Sequence, residues 1–212
     1  MDKFYGQLPT PITEIQVDCK EMMFYQYLPI KLSGQIGELY EPRLETFKPI
    51  IDIITKDYCD NFGYDTYINT NIYLTAKHMF QLKGTSFNRL GYHSDGFLTD
   101  DINYVWSNNH PTIFNHGKFN LTLDDKISMM EMEEQAKVEN EMYFLNNTIL
   151  RLDQYNIHRV MPISYDCMRT FVKVSFSKDK YDLEGNAHNY FLDYDWEMKK
   201  RKIERNIPQS KL

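Results

Sequence analysis

The chain has 212 residues with 15 % aromatic and 25 % charged side chains, a composition that excludes a disordered chain and allows a substantial core. Its formal net charge of -6 argues against a surface that coats nucleic acid generally, while leaving room for a local basic groove. Cys19, Cys59 and Cys167 are odd in number and widely spaced, which fits neither a disulfide framework nor a zinc ribbon and points to a reducing compartment. The first six residues lead into no apolar run of signal-peptide length, and no stretch approaches a membrane span. A single cytoplasmic domain over residues 1–212 is expected.

Residues 14–32 have strand character, with Ile15 and Val17 alternating against polar neighbours ahead of Phe24, Tyr25 and Tyr27. From 41 to 58 the period becomes helical: Pro42 and Pro49 suit first turns, and Ile50, Ile53, Ile54 and Tyr58 form one face that should back a sheet. Together these make an N-terminal strand and helix over about residues 14–62. Strands are expected at 66–74, 77–83, 92–99, 102–107 and 119–123. Asp124 then opens a run rich in Met, Glu, Gln and Ala, predicting a helical insertion over 124–144 that could border a site; Met129, Met130, Met132 and Met142 read as packing residues. Strands resume at 148–152, 157–161 and 169–177. In the last, Thr170, Val172, Val174 and Phe176 form an apolar face, leaving Arg169, Phe171, Lys173 and Ser175 on the other. Lys173 is the awkward member there and needs solvent or a carboxylate partner. A C-terminal helix is expected over 193–206, acidic at its start and basic at its end through Lys199, Lys200, Arg201, Lys202 and Arg205.

Many short strands and few helices describe a mainly β protein with flanking helices; together with three candidate ligands split between two strands they fit a double-stranded β-helix, a cupin-like jelly roll with its core over about residues 66–177. Within it, His93-Ser94-Asp95 places an imidazole and a carboxylate two residues apart, hence on one side of an extended strand. His158, at the start of another strand, supplies a third donor. Two histidines and one carboxylate leave three positions of an octahedral ion open, the arrangement that oxygen chemistry at ferrous iron uses. Arg169 lies eleven positions beyond His158, across a turn-rich stretch that would return it beside the ion as part of a hairpin. Its planar guanidinium suits a carboxylate. Tyr104 and Trp106 are pocket candidates, with core packing the competing assignment. His78, His110, His116 and His188 read as ordinary histidines.

His-x-Asp, a long gap, then His followed after ten intervening residues by Arg resembles the Fe(II)/2-oxoglutarate-dependent dioxygenases, in spacing nearest the taurine-dioxygenase and clavaminate-synthase branch. The resemblance spans about residues 70–177. It implies that His93, Asp95 and His158 hold Fe(II), that Arg169 binds the far carboxylate of 2-oxoglutarate, and that Thr112 helps to hold this co-substrate. It implies dioxygen as partner, decarboxylation of 2-oxoglutarate to succinate, and hydroxylation of a C–H bond, since Asp95 is retained where halogenases have a small residue. Acidic overall charge favours a small-molecule, amino-acid or nucleotide substrate over nucleic acid. The competing functions are a jelly-roll binding module, with or without a metal, and a zinc-dependent hydrolase using the same three donors; neither has a use for Arg169 at its spacing.

Overall fold

The computed structural model describes residues 3–201, with 87 and 89 excepted. Among these residues nine strands form two antiparallel sheets: a six-stranded sheet ordered β1-β7-β4-β9-β3-β2 and a three-stranded sheet ordered β6-β5-β8. The large sheet comprises β1 (Thr10–Glu14), β2 (Met23–Lys31), β3 (Asn71–Gln81), β4 (Ile102–Ser107), β7 (Thr148–Leu152) and β9 (Cys167–Ser177). The small one comprises β5 (Ile113–Asn115), β6 (Glu141–Tyr143) and β8 (His158–Arg159), extended by an antiparallel bridge from His158 to His93.

The strand order identifies the architecture. Strands β3 to β9 and the His93 bridge, taken in chain order, pair first with last (β3 with β9), second with seventh (His93 with β8), third with sixth (β4 with β7) and fourth with fifth (β5 with β6). Cross-links from β9 to β4 and from β8 to β5 complete the two sheets. A long hairpin rolled on itself in this way is the double-stranded β-helix expected from the sequence. The sheets face each other through Val105, Leu150, Leu152 and Phe171 on one side and Phe114 on the other.

Helix α1 (Lys48–Phe62) covers the outer face of the large sheet, burying Ile50, Ile51, Ile54 and Tyr58. Tyr58 stacks on Phe176 of β9 with ring centroids 3.8 Å apart. Val172, Val174 and Phe176 join this cluster, so the apolar face of β9 packs under the helix as its alternation predicts.

Several elements depart from expectation. The strand predicted at 14–32 is divided into β1 and β2, and residues 15–22 form no ladder. The helix predicted at 41–58 begins as a 3-10 turn, Pro42–Phe47, and Ile51 rather than Ile53 is the fully buried residue of its face. Of the strand predicted at 66–74, the first part belongs to a short helix, α2 (Tyr64–Ile68), and the remainder runs without a break into β3. Tertiary contacts override the β-branched and aromatic composition here. The buried Lys31 ammonium donates to the Tyr67, Ile68 and Thr70 carbonyls at 2.8, 3.1 and 2.9 Å, capping the last turn.

Residues 119–123 are not a strand, because side chains of helix α3 (Asp125–Gln135) take up their backbone groups: Glu131 accepts from the Thr122 amide at 2.6 Å and Gln135 brackets Asn120 at 2.9 Å on both sides. The helix predicted over 124–144 ends at Gln135, since 141–143 supply the edge partner of β5. It does begin as read, with Asp124 accepting from the Lys126 and Ile127 amides at 3.0 Å. The predicted strand at 157–161 is reduced to His158–Arg159. Residues 193–201 are not helical; Lys199 instead bridges to Leu183 and pairs with Asp182 at 2.7 Å, while 202–206 lie outside the described residues. Among the described residues no helix is long and apolar enough to cross a membrane.

Candidate metal centre

His93 and His158 face one another across the small sheet, each amide donating to the other's carbonyl at 2.9 Å. Their side chains therefore leave the backbone on the same face, with ring centroids 4.5 Å apart. Each ring is fixed in the same sense: Nδ1 of His93 lies 3.1 Å from the Gly91 carbonyl, and Nδ1 of His158 lies 2.9 Å from the Asn156 carbonyl. A carbonyl can only accept, so each Nδ1 carries a proton and Nε2 is the ring nitrogen that would ligate an ion. Metal-binding histidines are oriented in this way by their outer contacts.

Asp95 joins them from a turn, not from the strand predicted at 92–99. Thr99 closes that turn by donating its amide and hydroxyl to the Gly96 carbonyl at 2.9 and 2.7 Å. Gly96 has φ +70°, and a Cβ there would lie 2.8 Å from Thr99 Oγ1 and 3.0 Å from Asp101 Cβ, so only glycine fits. Strand alternation is thus not what brings His93 and Asp95 together; the turn carries the carboxylate round to the imidazoles. Donor atoms of His93, Asp95 and His158 all lie within 4.8 Å of one another, and Asp95 Oδ2 is 3.5 Å from His158 Nε2.

The large sheet forms the opposite wall. Arg169, Phe171, Lys173 and Ser175 point inward along β9, and neighbouring strands set Lys77 beside Phe171, Thr75 and Val105 beside Lys173, and Asn103 beside Ser175. Lys173 is 8 % exposed and donates to Asp95 Oδ2 at 2.7 Å. Burial alone would push the Asp95 carboxyl up; the Lys173 ammonium above all, with His158 and His93, holds it well below the usual carboxylate range. The carboxylate partner that the β9 pattern demands is therefore one of the three candidate ligands. Sequence alternation flagged Lys173 as anomalous but could not name its partner.

Arg169 is 3 % exposed and lies in the same cavity as the triad. It does not reach there by a hairpin, because β8 and β9 belong to different sheets. Its Nε donates to the Asn109 carbonyl at 2.9 Å and its Nη2 to the His110 carbonyl at 2.8 Å, fastening the loop that precedes β5. Burial brings its guanidinium down to about 10. Thr112, on that loop, also lines the cavity.

The cavity encloses about 590 Å³, with Tyr27, Phe97 and Tyr181 among its walls and Ser128, Met129 and Met132 of α3 at one side. The insertion thus borders the site, as its position suggested. Tyr104 and Trp106 do not: they point to the other face of β4, into the core beneath α1. Tyr104 donates to Asp57 Oδ2 at 2.7 Å and Trp106 to the Ile15 carbonyl at 2.9 Å. Asn103 and Val105, the alternate residues of β4, face the cavity instead. Tyr181 comes from the segment after β9 and had no signal in the sequence; it stacks on Tyr73 at 4.1 Å and donates to Asp101 at 2.7 Å.

No family model matches the chain, and no curated protein matches it. Among solved structures it is distantly similar to an oxidoreductase of the 2OG-Fe(II) oxygenase family from Burkholderia pseudomallei, at 16 % identity and a TM-score of 0.43 over 87 % of this chain and 77 % of that one. It is also similar to EvdO2 from Micromonospora carbonacea var. aurantiaca complexed with 2-oxoglutarate, at 9 % identity and 0.41 over 81 % and 83 %. A third is the non-heme monooxygenase ThoJ, at 9 % and 0.40 over 74 % and 66 %.

Proposed function

We propose that this protein is an Fe(II)- and 2-oxoglutarate-dependent oxygenase of the taurine-dioxygenase and clavaminate-synthase type, hydroxylating a C–H bond of a small-molecule, amino-acid or nucleotide substrate. The observation that carries the proposal is the donor set: two imidazoles each fixed through Nδ1 by a backbone carbonyl, a carboxylate beside them, and all three donor atoms within 4.8 Å of one another. His93, Asp95 and His158 would hold the ion from one side. Arg169 would grip the far carboxylate of 2-oxoglutarate, with Thr112 assisting. Bound ferrous iron supplies activation of dioxygen coupled to decarboxylation of 2-oxoglutarate to succinate and carbon dioxide.

The protein's own part is placement. Phe171 lines the cavity and clusters with Phe114 between the sheets, an apolar wall that would limit water beside a bound co-substrate. A cavity of about 590 Å³ falls within the range of small-molecule sites and supports a compact substrate. Asp95 occupies the space a halide would need, which favours hydroxylation over halogenation.

Purified protein mixed with Fe(II) and 2-oxoglutarate without oxygen should develop a visible charge-transfer band. With oxygen, succinate should form alongside a substrate heavier by one oxygen atom, found by screening metabolites, peptides and nucleic acids. Tight zinc retention with no such band would point to a hydrolase, and failure to bind any metal would point to a binding module; either outcome rejects the proposal.

A further inference from the structure

The ammonium of Lys173 is buried in the barrel, and its one ion pair among the described residues is with Asp95. It arises from the middle of β9, where Val105 and Thr75 flank it on the neighbouring strands, and it lies 5.5 Å from the centre of the Tyr27 ring. A lysine this buried, facing the cavity, places its charge in the site. It contacts Oδ2 of Asp95, the oxygen that also faces His158 Nε2.

We propose that Lys173 is a positioning residue of the metal centre: its ammonium holds Oδ2 of the Asp95 carboxylate, competing with the ion for that oxygen, and would stand one carboxylate away from the ion when metal is bound. The inference rests on the metal reading above and deepens it. Two neutral imidazoles and one carboxylate around a divalent ion leave one net positive charge; Lys173 makes it two. The added charge opposes the metal and attracts an anionic second ligand, so Lys173 weakens the grip on the ion while strengthening that on a dicarboxylate. The site is thereby set to hold metal loosely until the co-substrate arrives.

The two effects have opposite signs, which a merely structural lysine would not produce. Co(II) is titrated into the metal-free wild type and into Lys173→Met, and 2-oxoglutarate into the cobalt-loaded forms, both followed by the cobalt absorption bands. Lys173→Met should bind Co(II) about tenfold more tightly and 2-oxoglutarate about tenfold more weakly, whereas Lys173→Arg should stay near wild type on both. Unchanged or weakened Co(II) binding, or both ligands moving in one direction, would overturn the proposal. Failure of the wild type to bind Co(II) at all would sink the metal centre itself. Should Lys173→Met not fold, the wild type labelled with 15N-lysine serves: saturating Zn(II) should shift the slowly exchanging Lys173 ammonium signal and spare that of Lys31, and an unmoved Lys173 signal would overturn the proposal.

Discussion

Arg169 is assigned two tasks that one substitution can separate. Replacing it by Met keeps most of the aliphatic stem and removes the donors to the Asn109 and His110 carbonyls, made at 2.9 and 2.8 Å by a side chain 3 % exposed. Charged hydrogen bonds in such surroundings contribute about 1.5–3 kcal/mol each, and the stranded carbonyls regain some solvation, so a loss of about 2–4 kcal/mol is expected. In a domain of this size each kcal/mol moves the melting temperature by roughly 2–4 °C, giving a fall of about 5–15 °C before any ligand is added. The second task shows only with ligand. Saturating 2-oxoglutarate at about a hundred times its dissociation constant should stabilise the metal-loaded wild type by about 2.7 kcal/mol, and Arg169→Met should lose nearly all of that gain while keeping the gain from metal alone. Differential scanning fluorimetry on metal-free, metal-loaded and doubly loaded protein reads all of these quantities. A variant that melts early yet retains the whole 2-oxoglutarate increment would show that Arg169 only anchors the loop, and the carboxylate role would be withdrawn.

Burial pushes the Lys31 ammonium down from 10.5 to about 8, so between those values the unfolded chain holds the extra proton and stability rises with pH. Urea midpoints should increase between about pH 8 and 9.5, the unfolding free energy rising by up to about 3 kcal/mol over the full span, and the rise should vanish in Lys31→Met. Gly96→Ala should cost about 1–3 kcal/mol through its left-handed backbone, and it should also weaken metal binding in a titration, because the displaced turn carries Asp95. A Gly96→Ala protein with unaltered metal affinity would separate the turn from the site. Tyr104→Phe removes the bond to Asp57 and should lower stability by about 1 kcal/mol while leaving metal and 2-oxoglutarate affinities untouched; altered ligand binding would return Tyr104 to the pocket.

Where a strand's own packing set its limits, periodicity was enough. The edges of β4 and β7 fall where the alternation places them, and β9 is longer by only two residues, because these strands lie between two filled layers and each side chain has one suitable face. Choosing the correct face of β4 was harder: Tyr104 and Trp106 are large and semi-polar, suiting a pocket or a core equally well, and only Asp57 on α1 and the Ile15 carbonyl decide it. The triad was legible as residue types but not as geometry, since the turn at Gly96 replaces the strand that seemed to explain it. Distant partners account for the other departures. Lys31 caps α2, Glu131 and Gln135 hold residues 120–122, and β5 draws 141–143 out of the helical run; none of these pairings leaves a local pattern.

A single rung, residue 93 against residue 158, fastens one margin of the smaller sheet, and both of its members carry the imidazoles. An ion held there would act as a rivet between stretches far apart in the chain, closing the barrel at its least secured seam. Solvent exchange at those two amides should therefore slow together on loading, making the backbone itself a gauge of occupancy.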